Sequence, residues 1–293
     1  ISEGRPSMLN RLVQYQAVQE QPVVWGTSGS GAGVLSLNAS SPPEVRLRFT
    51  DVSVLAHVAA KRHLIAGLGG SILSTLALSD SQIRGVNISV WAYAPGMAIS
   101  WRNNLMQRCL LYCYQVDIPG YYGFTLDAYN NLFLNGSLTF SKGDTRTAWT
   151  LKDNAFDNAT ASASGYLTLG NNGYINTTSL GGSSNVVVSS FTYANATLGN
   201  WYHASTNFID RGSRLAGAAG LYHHTTTTNQ LKDASTAVDI GFHYVATDAN
   251  GNPLDTDGDG LPDYFEDRNG NGTVDSGETD WQVSENGTTG VPG

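Results

Sequence analysis

Between residues 47 and 209 the chain repeats itself, and so short a repeat constrains the fold more than any other feature. Each unit is anchored on a polar residue: Asp51, Asp80, Asn103, Asn130, Asp153, Asn171 and Thr206. Four and two residues before each anchor stand mostly apolar pairs. These are Leu47 and Phe49, Leu76 and Leu78, Ile99 and Trp101, Leu126 and Ala128, Trp149 and Leu151, Leu167 and Leu169, and Tyr202 and Ala204. Three residues after the anchors come Val54, Ile83, Met106, Phe133, Phe156, Tyr174 and Ile209. Eight and ten after the middle anchors come Ile88 and Val90, Leu111 and Cys113, Leu138 and Phe140, and Ala161 and Ala163. The first five anchors are 29, 23, 27 and 23 residues apart, and the two later units are less regular. Apolar pairs with a period of two predict short strands with one face inward. A unit of this length cannot bury its own inner face, but stacked units share one continuous core.

Stacking also gives a role to the residue after each anchor. Asn104, Asn131, Asn154, Asn172 and Asn207 would lie above one another, so their amides are expected to pair along the stack. An open end of such a stack exposes strand edges and has to be covered. Met8, Leu9, Leu12, Val13 and Val18 recur at roughly helical spacing behind Ser7, which predicts an N-terminal capping helix over 7–20. The Gly/Ser-rich segment 21–45 reads as extended.

A second feature lies near the C-terminus. Residues 255–278 read DTDGDGLPDYFEDRNGNGTVDSGE, two twelve-residue loops end to end. Oxygen ligands fall at Asp255, Asp257, Asp259, the Leu261 carbonyl, Asp263 and Glu266 in the first. In the second they fall at Asp267, Asn269, Asn271, the Thr273 carbonyl, Asp275 and Glu278. Gly260 and Gly272 are sixth, where the chain must turn sharply around an ion, and a potentially bidentate carboxylate is last. That is the ligand order of a Ca2+ loop, and its repetition predicts two ions. Asn269 and Asn271 replace carboxylates in the second loop, so the first is expected to bind more tightly. Glu266 closes one loop and Asp267 opens the next, leaving no room for a full helix between them. The run resembles the thrombospondin type 3 and dockerin-like calcium repeats of secreted proteins. Pro262 at the eighth position of the first loop favours the type 3 version.

The stacked body followed by VDIGFHYVATDANGNPLDTDGDGLPDYFEDRNGNGTVDSGETDW (238–281), with the coils NNLFLNGSLTF (130–140) and LKDNAFDNA (151–159), resembles a junction in large bacterial secreted or surface proteins. The resemblance implies an all-β chain whose body is a right-handed parallel β-helix (solenoid) of the pectate-lyase-like kind. The expected divisions are an N-terminal cap and extended segment (1–46), the β-helix (47–244), a linker (245–254), a C-terminal calcium-loop module (255–280) and a tail (281–293). The resemblance implies architecture and location more than activity.

Charge separates the same parts. The net charge of −8 is carried by residues 248–280, with ten acidic groups and one basic group, whereas 1–247 hold thirteen acidic and fifteen basic. No Lys/Arg cluster marks a nucleic-acid surface, and no apolar run reaches membrane-spanning length. The chain begins at Ile1 without a signal peptide, which reads as a mature or excised piece whose targeting sequence is gone, and its ending at GTTGVPG suggests a longer parent chain. Asn-x-Ser/Thr sequons occur at Asn38, Asn87, Asn135, Asn158, Asn176, Asn195, Asn271 and Asn286. They matter only where the producing cell glycosylates. Cys109 and Cys113 suit either two core thiols or one short bridge.

Many parallel β-helices act on polysaccharides, by a base with calcium or by paired carboxylates. Outward positions place Arg102, Asp127 and Lys152 on successive coils, with no second carboxylate beside Asp127, so an ion-pair ladder is the expectation. His203, His223, His224 and His243 form no evident ligand triad, and Tyr121, Tyr122 and Tyr129 are candidates for stacking on sugars. The expected function is that of a non-enzymatic, extracellular, calcium-binding structural protein of a surface, matrix, adhesive or filamentous assembly. The alternatives are a polysaccharide lyase or glycoside hydrolase, and a glycan-binding module. The expected partner is calcium, with further copies of the chain and glycans as candidates, and with no nucleic acid and no membrane span.

Overall fold

The computed structural model describes residues 1–14, 33–35, 41–54, 62–65, 73–91, 96–118 and 122–284. Nearly all regular structure is β, in three large parallel sheets that the chain visits in turn. A typical circuit is Ala98–Arg102 in the first sheet, Leu105–Gln107 in the second and Leu110–Gln115 in the third, and the next begins at Thr125–Tyr129. Every neighbour pair within these sheets is parallel, an arrangement compatible with a parallel β-helix. Among the described residues no helix is long and apolar enough to cross a membrane.

The apolar positions of the repeat stack in register. Leu76, Ile99, Leu126 and Trp149 align on the first sheet. Ile83, Met106, Phe133, Phe156 and Tyr174 align on the second, and Ile88, Leu111, Leu138 and Ala161 on the third. Most are buried in one core running the length of the stack, with Ala161 partly buried at its edge. Phe156 lies between Phe133 and Tyr174, with ring centroids 5.0 and 5.2 Å apart.

Cys109 and Cys113 face the same core as thiols that are not joined to each other, and burial pushes the Cys113 thiol well above its usual range. Neither should react with a thiol reagent in the folded protein, while both should react in denaturant. Labelling of the native state at the denatured rate would contradict this placement.

The anchors turn the chain. Asp80, Asn103, Asn130, Asp153 and Asn171 all have φ between 49° and 61°, the left-handed region that Asn and Asp tolerate best after glycine. The residue after each anchor forms the buried ladder expected from the sequence. The Asn131 Oδ1 accepts from the Asn104 backbone N–H and Nδ2, both at 3.0 Å. Asn131 Nδ2 donates to Trp101 O and to Asn154 Oδ1, both at 2.9 Å. Asn154 stands in the same relation to Asn172.

The repeat departs from expectation at both ends. In the first unit Val45 and Leu47, not Leu47 and Phe49, align with Leu76 and Leu78. The left-handed residue is Phe49 (φ 47°), not Asp51. A slip of two keeps every side chain on its face, so apolar alternation cannot separate the two registers. At the far end Asn172 N–H donates to Asn185 Oδ1 at 3.0 Å, so Asn185 rather than Asn207 continues the ladder. Thr206 anchors no coil: the hairpin Tyr193–Ala196 and Gly199–His203 is antiparallel, and the parallel stack ends at Val186–Val188. The capping helix over 7–20 is also corrected. Asn10–Gln14 is a strand paired in parallel with Thr50–Val54, because the free edge of the second sheet offers hydrogen bonds for its backbone. Val18 lies outside the described residues.

Residues 199–247 do not finish the stack but cover its flank. Leu105, Leu132, Leu134, Ala155 and Ile175 of the second sheet are buried against Tyr202, Phe208, Ile240, Phe242 and Tyr244. This is why Leu132–Leu134 is buried at all three positions. The anchors fasten that cover. Asn103 exchanges two hydrogen bonds with the His243 backbone, at 2.7 and 3.0 Å. Asn130 donates to Asp239 O at 2.9 Å. Asp153 accepts from Ser213 N–H and Oγ at 2.6 and 2.9 Å. The expected linker 245–254 is part of the same packing: Tyr244–Val245 pairs with His224–Thr225, and Val245, Ala246 and Thr247 are buried. Exposed Asn135, Asn158 and Asn176 share a second column of left-handed turns, each directly after a strand of the second sheet.

The cover buries four imidazoles: His203, His223, His224 and His243. His203 lies among the rings of Phe191, Tyr193 and Phe208. Burial first, and then nearby His243, hold its imidazole down to about 3 against the opposing pull of Asp233. His243 is held above its ordinary value: burial opposes its charge, but the Asp233 carboxylate 3.0 Å away outweighs burial. Folded His203 therefore stays neutral while the unfolded chain gains a proton below about 6.5. The stability it carries is complete above that value and is lost as pH falls toward 3. In His203→Phe, the loss of stability between pH 7.5 and 4.5 should be smaller than in the unaltered protein by on the order of 2 kcal/mol. Urea unfolding at the two pH values reads it, and equal pH dependence in both proteins would refute it.

Candidate metal centre

Residues 255–278 fold as two consecutive loops joined by one helical turn, Asp263–Glu266. Pro262 immediately precedes that turn, where its missing N–H costs nothing. Gly260 and Gly272 have φ of 99° and 80°, as the sixth position of each loop requires. A Cβ on Gly272 would also lie 2.3 Å from the Tyr222 ring, so two constraints hold that residue.

In the first loop Asp255, Asp257 and Asp259 each place a carboxylate oxygen within 4.8 Å of the others. Backbone amides fix them there. Asp255 accepts from Gly258 and Gly260 N–H at 2.8 and 3.0 Å, Asp257 from Asp259 N–H at 3.1 Å, and Asp259 from Leu261 N–H at 2.9 Å. Glu266, the twelfth residue, is 1% exposed, and neither of its carboxylate oxygens has a hydrogen-bond partner; nor does Asp257 Oδ2. Burial pushes the Glu266 carboxyl up to about 7, helped by the charges of Asp257, Asp259 and Asp263 and only partly offset by the Thr279 hydroxyl. A buried carboxyl with the Thr279 hydroxyl as its nearby donor, beside three more carboxylates, is unfavourable unless a cation or a proton joins it. Asp263 does not join the cluster. It accepts from Thr256 N–H and Oγ1 at 2.6 and 2.7 Å and from Lys232 Nζ at 3.2 Å.

The second loop is more exposed. Asp267 is buried and accepts from Asn271 and Gly272 N–H at 3.1 and 2.6 Å. Asn269 and Asn271 direct Nδ2 to Asp275 Oδ2 at 2.7 and 2.8 Å. Glu278 accepts from Asn269 and Asp275 N–H at 3.2 and 3.1 Å. Side chain to side chain, the third, fifth and ninth positions are thus joined, whereas Asp267 and Glu278, at the first and twelfth, bond to backbone N–H groups of the loop. Rotating each amide by half a turn puts its oxygen where its nitrogen stands, so the set can surround a cation with oxygen.

His223, only weakly marked in the sequence, ties these loops to the rest of the protein. Its Nε2 is 3.0 Å from Asp267 Oδ2 and its Nδ1 is 3.6 Å from Asp263 Oδ2. It packs against Tyr222 and Trp281. Tyr222 N–H donates to Gly270 O at 3.0 Å, and Tyr264 meets Phe49 edge-on at 5.4 Å. The one signal in the sequence was a His–His pair of no recognisable spacing.

The outward residues considered for catalysis are placed differently. Arg102 and Asp127 form an ion pair at 3.3 Å, with both side chains nearly half exposed. Lys152 aligns with Tyr129 in the register and forms no ion pair among the described residues. Arg214 and Arg102 lie over the Tyr129 ring at 4.0 and 5.7 Å. Tyr122 is exposed, and Tyr121 lies outside the described residues. Comparisons with protein-family models, with curated proteins and with solved structures found no match for this chain.

Proposed function

We propose that this chain is an extracellular, calcium-binding structural protein: a right-handed parallel β-helix whose covered flank is locked by two Ca2+ loops. The observation that carries the metal reading is the convergence of Asp255, Asp257 and Asp259 within 4.8 Å of one another, with the buried Glu266 carboxyl near enough to feel the charges of Asp257 and Asp259. Hard oxygen ligands in this order suit Ca2+ better than a transition metal. The right hand follows from the strong preference of parallel crossover connections.

Loops of this kind fill where calcium is abundant, which favours a secreted or surface location. The structural reading draws on the stack itself. Among the described residues, Thr160–Gly165, Thr168–Gly170 and Val186–Val188 are the last strands of their sheets, and Val187 is 63% exposed. Such edges offer backbone pairing to another copy. Negative-stain imaging in calcium and then in chelator tests this reading. Filaments or ordered assemblies that loosen on chelation are the expected result. Monodisperse particles under both conditions would refute the assembly role. In a calorimetric calcium titration the first loop should fill first, so Asp255→Asn should weaken the tighter phase and Asp275→Asn the weaker one. The reverse assignment would overturn the expected order.

A further inference from the structure

Where the calcium loops meet the stack, a cleft of about 260 Å³ is lined by four arginines, Arg48, Arg102, Arg214 and Arg268, with Asp80 the one carboxylate in its lining. They come from separate parts of the chain. Arg48 and Arg102 hold equivalent positions on strands two apart in the first sheet, on either side of Ser79. Arg214 comes from the cover and Arg268 from the second loop.

Their existing partners leave this charge partly uncompensated. Arg48 is paired with Asp80 at 2.9 Å and lies 3.7 Å from Glu3, and Arg102 is paired with Asp127 at 3.3 Å, outside the cleft lining. The nearest carboxylate to Arg214 is 3.9 Å away, and its buried Nε has no hydrogen-bond partner. Arg268 is exposed and forms no ion pair among the described residues. Both the Arg102 and Arg214 guanidinium groups lie over Tyr129, which holds two like charges at the same wall. Converging forked donors on planar cations are the chemistry that recognises oxyanions.

We propose that this cleft binds an oxyanion: a carboxylate, sulfate or phosphate group on a ligand about the size of one sugar acid, either free or as a unit of an acidic polysaccharide. The site is independent of the metal reading to the extent that three of its arginines lie outside the loops. Holding calcium constant and saturating keeps a failure of one reading distinct from a failure of the other.

The test is calorimetry at low salt with three probes: inorganic sulfate, galacturonate and a short galacturonate oligosaccharide. Arg102→Gln and Arg268→Gln, at exposed side chains whose loss is tolerable for folding, should each weaken binding by about tenfold or more. Arg11→Gln, exposed and outside the cleft, should leave it unchanged. Equal affinity for the monosaccharide and the oligosaccharide would identify a small free anion, and tighter binding of the oligosaccharide a polysaccharide. No saturable binding of any probe, or equal affinity in the unaltered protein and the Arg102→Gln/Arg268→Gln double variant, would overturn the proposal.

Discussion

Chelating calcium is expected to lower the thermal midpoint of this protein by about 10 °C or more. A site held at a hundred times its dissociation constant stabilises the folded state by about 2.7 kcal/mol, so two sites contribute roughly 5 kcal/mol. In a chain of this size each kcal/mol moves the midpoint by about 2–4 °C. The effect should spread beyond the loops. Asp263 and Asp267 hold His223 between them, and the segment around His223 belongs to the cover over the second sheet. Without metal, Asp255, Asp257, Asp259 and Glu266 repel one another inside a single loop. Glu266→Gln removes one charge from that set and one potential calcium ligand. Its midpoint should respond to calcium far less than that of the unaltered protein, and in chelator it should be at least as stable. Scanning calorimetry on both proteins, with and without calcium, reads the four values. A shift under about 2 °C on chelation of the unaltered protein would contradict the expectation.

The second large effect is expected inside the stack. Asn131→Ala should destabilise the protein by about 4 kcal/mol or prevent folding. The side chain accepts two hydrogen bonds from Asn104 and donates to Trp101 O and Asn154 Oδ1, all fully buried. Alanine leaves the Asn104 N–H and one hydrogen of the Asn104 side-chain amide without their acceptor in a dry interior, and each such group costs about 1–3 kcal/mol. Asn185→Ala, at the half-exposed last rung where only the Asn172 N–H reaches its Oδ1 across the ladder, should cost far less. Equilibrium unfolding of the two variants measures the difference, and similar losses for both would show that the ladder does not carry this energy.

How much was legible beforehand differs by region, for physical reasons. The middle coils were readable because period-two pairs and left-handed Asn or Asp anchors recur together, and each signal fixes the other. The first coil was misread by two residues because Val45, Leu47 and Phe49 continue the alternation through the turn, and a two-residue slip leaves the faces unchanged. The last units were misread because residues 199–247 also alternate, but serve a cover packed sideways on the second sheet. Leu105, Leu132 and Ile175 were the available hint, since a strand apolar at consecutive positions is buried on both faces. The two loops of 255–278 were legible as loops because the glycine sixth in each, Gly260 and Gly272, marks where the chain turns. Asp263 departs from its ligand position because Thr256, Lys232 and His223 compete for it, and no local motif reports partners so distant in the chain. The arginine cleft was invisible for the same reason: Arg48, Arg102, Arg214 and Arg268 share no spacing and meet only once the cover is in place.

The most direct test of the central claim is to count calcium on the intact chain by equilibrium dialysis across free calcium from micromolar to millimolar. The account predicts two ions per chain, falling to one tight ion in Asp275→Asn. No bound calcium at millimolar concentration, or two ions retained in both Asp275→Asn and Glu266→Gln, would contradict it.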